Sequence, residues 1–206
     1  MKKIILSSLL VLAVSFTYAQ KAEFGIKGGL NIANQSFSGD GSPSPSSIIG
    51  FHLGGFVDIK IDEKFSFHPE LLYSTQGSKF DFVVDEGEGI FYTENTFLLS
   101  YINIPVMFKY YATEKFNLEA GPQIGFLVDS KLKTEVLGQS ITQDAKDLFE
   151  SVDFGLNLGA GYDFTKSFSA GVRYNFGLTN VMETESGDNF EVKNNVLSIS
   201  VGYKFK

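Results

Sequence analysis

From Phe24 onward the chain alternates large apolar residues with small or polar ones in steps of two. The clearest stretch is Val152–Leu178. One parity carries Phe154, Leu156, Leu158, Ala160, Tyr162 and Phe164, then Phe168, Ala170, Val172, Tyr174, Phe176 and Leu178. The other carries Asp153, Gly155, Asn157, Gly159, Gly161 and Asp163, then Ser169, Gly171, Arg173 and Asn175. Side chains alternate faces along a strand, so this is a hairpin with one aromatic and apolar side and one side of glycine and single polar groups. The same pattern recurs over Phe24–Ala33, Ile49–Ile61, Phe65 to Gln76, Leu98–Tyr111, Phe116–Val128 and Val196–Lys206, which makes eight strands. Short turns hold Lys64, Lys115 and Lys166 at intervals of 51 residues, and longer connections fall at Asn34–Ser47, Asp81–Thr96, Asp129–Ser151 and Thr179–Lys193. An up-and-down meander is the simplest topology with that rhythm.

Alternation does not say which face is inside. A soluble lipocalin-like barrel has an apolar interior, whereas a membrane barrel carries its apolar band and aromatic girdles outside. Three features select the membrane form. Glycine and charge share one face, which suits a narrow eight-stranded lumen and would only weaken a solvated exterior. Phe65, Tyr110, Phe116, Tyr162, Phe164, Phe168 and Tyr203 gather on the apolar face near the connections, as interfacial residues do. Short turns at one end and long loops at the other complete the pattern. The fold expected is an all-β, eight-stranded antiparallel up-and-down transmembrane β-barrel with short periplasmic turns and four long external loops.

Met1-Lys2-Lys3, an apolar run from Ile4 to Phe16 and Ala19 before Gln20 read as a secretory signal peptide over residues 1–19, ahead of a single outer-membrane barrel domain over 20–206. The formal charge of −7 argues against nucleic-acid partners. The chain has no cysteine, which removes thiol catalysis and thiolate metal sites. After residue 19 no apolar run is long enough for a membrane helix, so a mature chain entering a bilayer does so as a closed barrel. The expected setting is the cell outer membrane, as a monomer in contact with membrane lipid and lipopolysaccharide.

The chain resembles the PorT-like outer-membrane β-barrel proteins. The resemblance rests on Gln20, Phe24-Gly25-Ile26-Lys27-Gly28-Gly29-Leu30-Asn31, Tyr101-Ile102-Asn103-Ile104-Pro105-Val106, the glycine-rich strand from Val152, and Val201-Gly202-Tyr203-Lys204-Phe205. It departs at Asn103, where the family often has an acid, and in ending one residue past the terminal aromatic, at Lys206. It implies a barrel with Phe205 as the outward aromatic read by assembly machinery, and a link to secretion and gliding machinery in that envelope.

The inward parity holds Lys27, His52, Asp58, Lys60, His68, Glu70, Lys109, Glu119, Asp153 and Arg173. Ionisable groups inside a membrane protein are costly unless paired, so a lumenal polar network of Lys27, Glu70, Lys109, Glu119 and Arg173 is expected, with Arg173, Glu119 and Glu70 at its centre. Its plain reading is a plug; its functional one is a proton or ion path. Lipid hydrolysis would need a serine, a histidine and an acid in reach, near His52 with Ser74 or Ser66, or His68 with Ser66 and Glu70. A lone polar-face histidine is more often a hydrogen-bonder, so no catalytic residue, cofactor or metal is assigned. Asp81, Asp85, Glu86, Glu88 and Glu94, and Glu183, Glu185, Asp188 and Glu191, make two loops acidic without the spacing of a calcium loop. Ser140-Ile141-Thr142-Gln143 reads as a capping box, and Ile141, Ala145, Leu148, Phe149 and Val152 at helical spacing read as a short amphipathic helix. The function expected is a structural or interaction barrel with partners docking on acidic loops, accessory to envelope or secretion machinery. The alternative is a small-solute channel or a lipid-modifying enzyme.

Overall fold

The structure, a computed structural model, describes residues 22–38, 45–85, 90–136, 139–183 and 190–205. The expected signal peptide, Gln20, Lys206 and the loop acids Glu86, Glu88, Glu185 and Asp188 lie outside these residues. The strands are β1 (Ala22–Ser38), β2 (Ser46–Lys60), β3 (Phe65–Asp85), β4 (Ile90–Tyr111), β5 (Phe116–Val136), β6 (Gln139–Asp144), β7 (Val152–Asp163), β8 (Phe168–Gly177) and β9 (Glu191–Lys204). Each barrel stave pairs antiparallel with the next, and β9 pairs back onto β1 from Gly25↔Lys204 to Ser38↔Glu191. Eight strands therefore close the ring, while β6 stands outside it on the upper end of β5. Among the described residues no helix is long and apolar enough to cross a membrane; the strands do that work.

The apolar parity faces outward all round. Phe24, Leu30, Leu53, Leu71, Phe108, Leu158, Phe176 and Ile199 are exposed, while Asn31, His52, Glu70, Asn103, Glu119, Asn157 and Arg173 of the other parity are buried. On β4 the outward residues are apolar from Tyr110 to Leu98, apart from Ser100, and turn polar at Thr96 and Glu94. That run, at about 3.4 Å per residue and a tilt of about 40°, covers about 30 Å, the thickness of a bilayer core.

The glycines of the lumen face are seats for the side chains of the neighbouring strand. Gly159 is the register partner of Glu119, and a Cβ there would meet Glu119 Oε1 at 2.9 Å. Gly161 likewise receives Asn117, Gly125 receives Asn103, and Gly29 receives His52. Without these gaps an eight-stranded lumen could not hold the long polar groups.

Three expectations change. Asp81–Thr96 is largely a hairpin, not a loop, since β3 and β4 stay paired from Lys79↔Thr96 to Asp85↔Ile90. The polar composition there marks departure from the membrane, not the end of pairing. Similarly β1 extends to Ser38 and β9 begins at Glu191, which trims the loops at Asn34–Ser47 and Thr179–Lys193. Ser140–Gln143 is strand, with Thr142 opposite Lys133, and the only helical piece among the described residues is the 3₁₀ turn Lys146–Leu148. An open β5 edge and β-branched Ile141 and Thr142 favour pairing over a helix. Just ahead of that turn, Asp144 Oδ1 accepts from the Lys146 N–H at 2.8 Å.

The ladder is broken along one line. Pro69, Pro105 and Pro122 lie in adjacent strands, and the register lapses at Val57–Asp58 against His68–Pro69, at Glu70–Leu71 against Ile104–Pro105, and at Val106–Met107 against Gly121–Pro122. Proline has no N–H to give, so each removes a rung toward the preceding strand.

Candidate functional site: the lumen

At mid-height Arg173 of β8 reaches across the lumen. Its Nη1 and Nη2 donate to Glu70 Oε2 and Oε1 of β3 at 2.9 and 2.8 Å, and its Nε donates to Glu119 Oε1 of β5 at 2.8 Å. Lys27 Nζ of β1 donates to the same Glu70 oxygen at 2.7 Å. The fork of a guanidinium matches a carboxylate with two parallel bonds, so the pair is fixed in direction as well as charge. Four of the five network residues expected from the sequence thus meet. Lys109 does not: among the described residues it makes no ion pair, though it lines the same cavity beside its register partner Glu119.

His52, Asp58, His68 and Asp153 were expected on the inward face, but their partners were not specified. Toward the short turns, His68 lies between Asp58 (3.6 Å) and Glu70 (3.2 Å) under the ring of Phe56, whose centroid is 4.6 Å away. Lys204 of β9 reaches Glu23 of β1 at 3.3 Å, Asp163 at 3.8 Å and Asp58 at 3.9 Å, which ties the last strand to the first two. Above Arg173, His52 Nδ1 donates to Asn31 Oδ1 (2.8 Å) and its Nε2 accepts from Ser200 Oγ (2.9 Å). Asn31 in turn donates to Ser74 Oγ at 2.9 Å. Higher still, Asn194 donates to Asp153 Oδ2 (2.9 Å) and accepts from Gln35. All occupy the inward parity, the one signal that could have marked them.

Ser200–His52–Asn31 has the order of a nucleophile, a base and an orienting group, although the serine is not either one expected. Its third member is an amide, and the adjoining cavity is about 30 Å³. A second cavity of about 30 Å³ lies on the other side of Arg173. Each has room for water and none for an acyl chain.

The top of the lumen is apolar. Phe80, Phe97, Leu99, Tyr101, Leu127, Ala145, Phe149, Val181 and Val192 form one buried cluster. On β5 the register steps from Tyr101↔Leu127 to Ser100↔Asp129, so one extra residue at Val128 turns Ser130 and Leu132 inward above it.

Residues 18–183 match the family described as outer membrane protein beta-barrel domain. The chain belongs to that family. It is an integral protein of the cell outer membrane, which sets the short turns on the periplasmic side and the long connections outside. Among solved structures, it is similar to Ail of Yersinia pestis, solved in complex with the heparin analogue sucrose octasulfate. The identity there is 14%, over 90% of this chain and 99% of that one, with a TM-score of 0.48. Neisserial surface protein A shares 17% identity over 89% of this chain and 99% of its own, with a TM-score of 0.48. OprG of Pseudomonas aeruginosa shares 16% identity over 89% and 96%, with a TM-score of 0.44. No curated protein matches the chain. In an outer-membrane barrel the cluster at the external mouth points away from lipid and away from water alike.

Proposed function

We propose that this outer-membrane barrel is a structural and docking element with a closed lumen, acting as a monomer and offering its external strands and loops to envelope partners and lipopolysaccharide. The observation that carries this reading is the Arg173 bridge, which joins β8 to β3 and β5 across the lumen and leaves cavities of about 30 Å³ on either side. Buried charges that are fully paired hold a fixed arrangement and give a solute nothing to displace cheaply. The PorT-like resemblance supports a place beside secretion machinery, without naming the partner. Swelling of proteoliposomes in small sugars and amino acids tests the closed lumen: the expected rate equals that of protein-free liposomes, and size-dependent swelling would sink the reading.

The Ser200–His52–Asn31 line is the one observation on the side of a lipid-modifying enzyme. We favour a positioning role, in which the line holds His52 against Gly29. The check is phospholipid hydrolysis by the wild type and by Ser200→Ala; release of fatty acid that disappears in the variant would reverse the assignment.

A further inference from the structure

We infer that the stretches around Ala145–Glu150 and Asn180–Glu183 form a lid that seals the lumen from outside only, so that the polar interior is accessible from the periplasm. This rests on the closed-lumen reading and says where the external seal lies.

Neither stretch belongs to a barrel stave, since one links β6 to β7 and the other β8 to β9. They are stitched to each other as well as to the wall. Glu150 N–H donates to Val181 O (2.9 Å), Glu183 N–H donates to Leu148 O (3.0 Å), and Phe149 and Met182 form an isolated antiparallel bridge. Three bonds attach them to the wall: Ala145 N–H donates to Ser130 O at 3.1 Å, Val181 N–H donates to Val192 O at 2.8 Å, and Asn180 Oδ1 accepts from Val192 N–H at 2.8 Å. Yet Ala145, Phe149 and Val181 are fully buried, and Phe149 meets Phe97 edge-on with centroids 5.0 Å apart. The contact is apolar packing on a polar well. Beneath it lies the cavity lined by Asn31, His52, Ser74 and Ser198.

The other end is built differently. A space of about 1000 Å³ opens among the periplasmic turns, walled by Lys60, Asp62, Lys64 and Asp163 beside Ile61 and Phe65. Asp163 lines both this space and the cavity below Arg173, so the two adjoin. An apolar layer held by few backbone bonds is also the part of a fold that opens at lowest cost, because opening exposes surface without breaking the ladder.

The absence of cysteine allows a clean test by thiol labelling. Ser198→Cys reports the cavity above Arg173, and Ser169→Cys the one below it. A charged, membrane-impermeant methanethiosulfonate reagent is applied to whole cells and, separately, to outer membranes open on both sides. With the lid intact, Ser198→Cys is expected to be unreactive from outside. Adding Phe149→Ala and Val181→Ala should raise its external labelling at least tenfold. Ser169→Cys should stay unlabelled from outside in either background and react once the periplasmic side is exposed. External labelling of Ser198→Cys at the same rate with and without the two lid substitutions would overturn the lid. Should those substitutions abolish the heat-dependent gel shift of a folded barrel, hydrogen exchange on the wild type decides. The amides of Glu150, Val181 and Glu183 must then exchange together and well ahead of the β7–β8 ladder, and exchange at the ladder's rate would end the proposal. A conducting wild type would instead defeat the closed-lumen reading, whatever the labelling pattern.

Discussion

Two layers of the same lumen have opposite chemistry. At mid-height the inward side chains are Lys27, Glu70, Glu119 and Arg173, ion-paired and buried; at the external mouth they are Phe80, Phe97, Leu99 and Phe149, packed ring on ring. Both layers fill a narrow barrel, but they hold it in different ways. The charged layer is directional and intolerant of a lost partner. The apolar layer is tolerant of shape and is sensitive to lost volume.

Breaking the charged layer should have the largest effect. Glu70→Leu leaves Arg173 and Lys27 buried without their shared carboxylate, and should cost about 3–5 kcal/mol in denaturant unfolding of the barrel in lipid bilayers. Replacing the set together, with Lys27→Met, Glu70→Leu, Glu119→Leu and Arg173→Met, should recover most of that loss. Failure to recover would mean that the charges contribute more than mutual neutralisation. At the mouth, Phe97→Ala removes a wall-borne ring from the cluster and should cost about 3 kcal/mol by the same measurement, with no rescue from a charge change.

The pattern of faces was legible in the sequence because a period of two is unaffected by what lies beyond each face. The central network was legible too, since paired charges are the only economical way to place Glu70, Glu119 and Arg173 on a buried parity. Depth was not. Phe97, Leu99 and Tyr101 share the parity of Asn103, and nothing in alternation says that the lumen turns apolar there. Lys109 sits on the right face at a level where Glu119 is already engaged by Arg173. The strands past the membrane were missed because loss of hydrophobicity looked like loss of pairing. The helix expected from the Ser140–Gln143 capping box failed because a neighbouring strand edge, absent from any local window, outweighed the capping signal.

The glycine seats give a smaller, sharper contrast between the two sides of the wall. A Cβ at Gly159 would meet Val172 O at 2.7 Å and Glu119 Oε1 at 2.9 Å, so Gly159→Ala should cost about 1–3 kcal/mol. On the lipid side, a Cβ at Gly55 meets only Gly25 O at 3.5 Å, and Gly55→Ala should be neutral or stabilising by about 0.5–1 kcal/mol. Equal costs at the two sites, read from unfolding midpoints, would remove the distinction.

The smallest effect belongs outside the membrane. The hydrogen bond from Lys133 holds the fully exposed Glu135 carboxyl below the ordinary carboxylate range. Its contribution is therefore present above the ordinary carboxylate pKa and lost as pH falls through the lowered one. Lys133→Gln should leave the thermal midpoint unchanged at neutral pH in 0.5 M salt, where such pairs are screened; a clear drop would give this surface a structural weight that its exposure denies.

Single-channel recording in planar bilayers tests the central claim most directly, because current reads the Arg173 layer and the lid in series. The wild-type barrel is predicted to give no discrete steps, and a variant carrying Glu70→Ala, Arg173→Ala and the two lid substitutions, Phe149→Ala and Val181→Ala, is predicted to give small ones. Stable, ohmic steps from the wild-type protein would contradict the account.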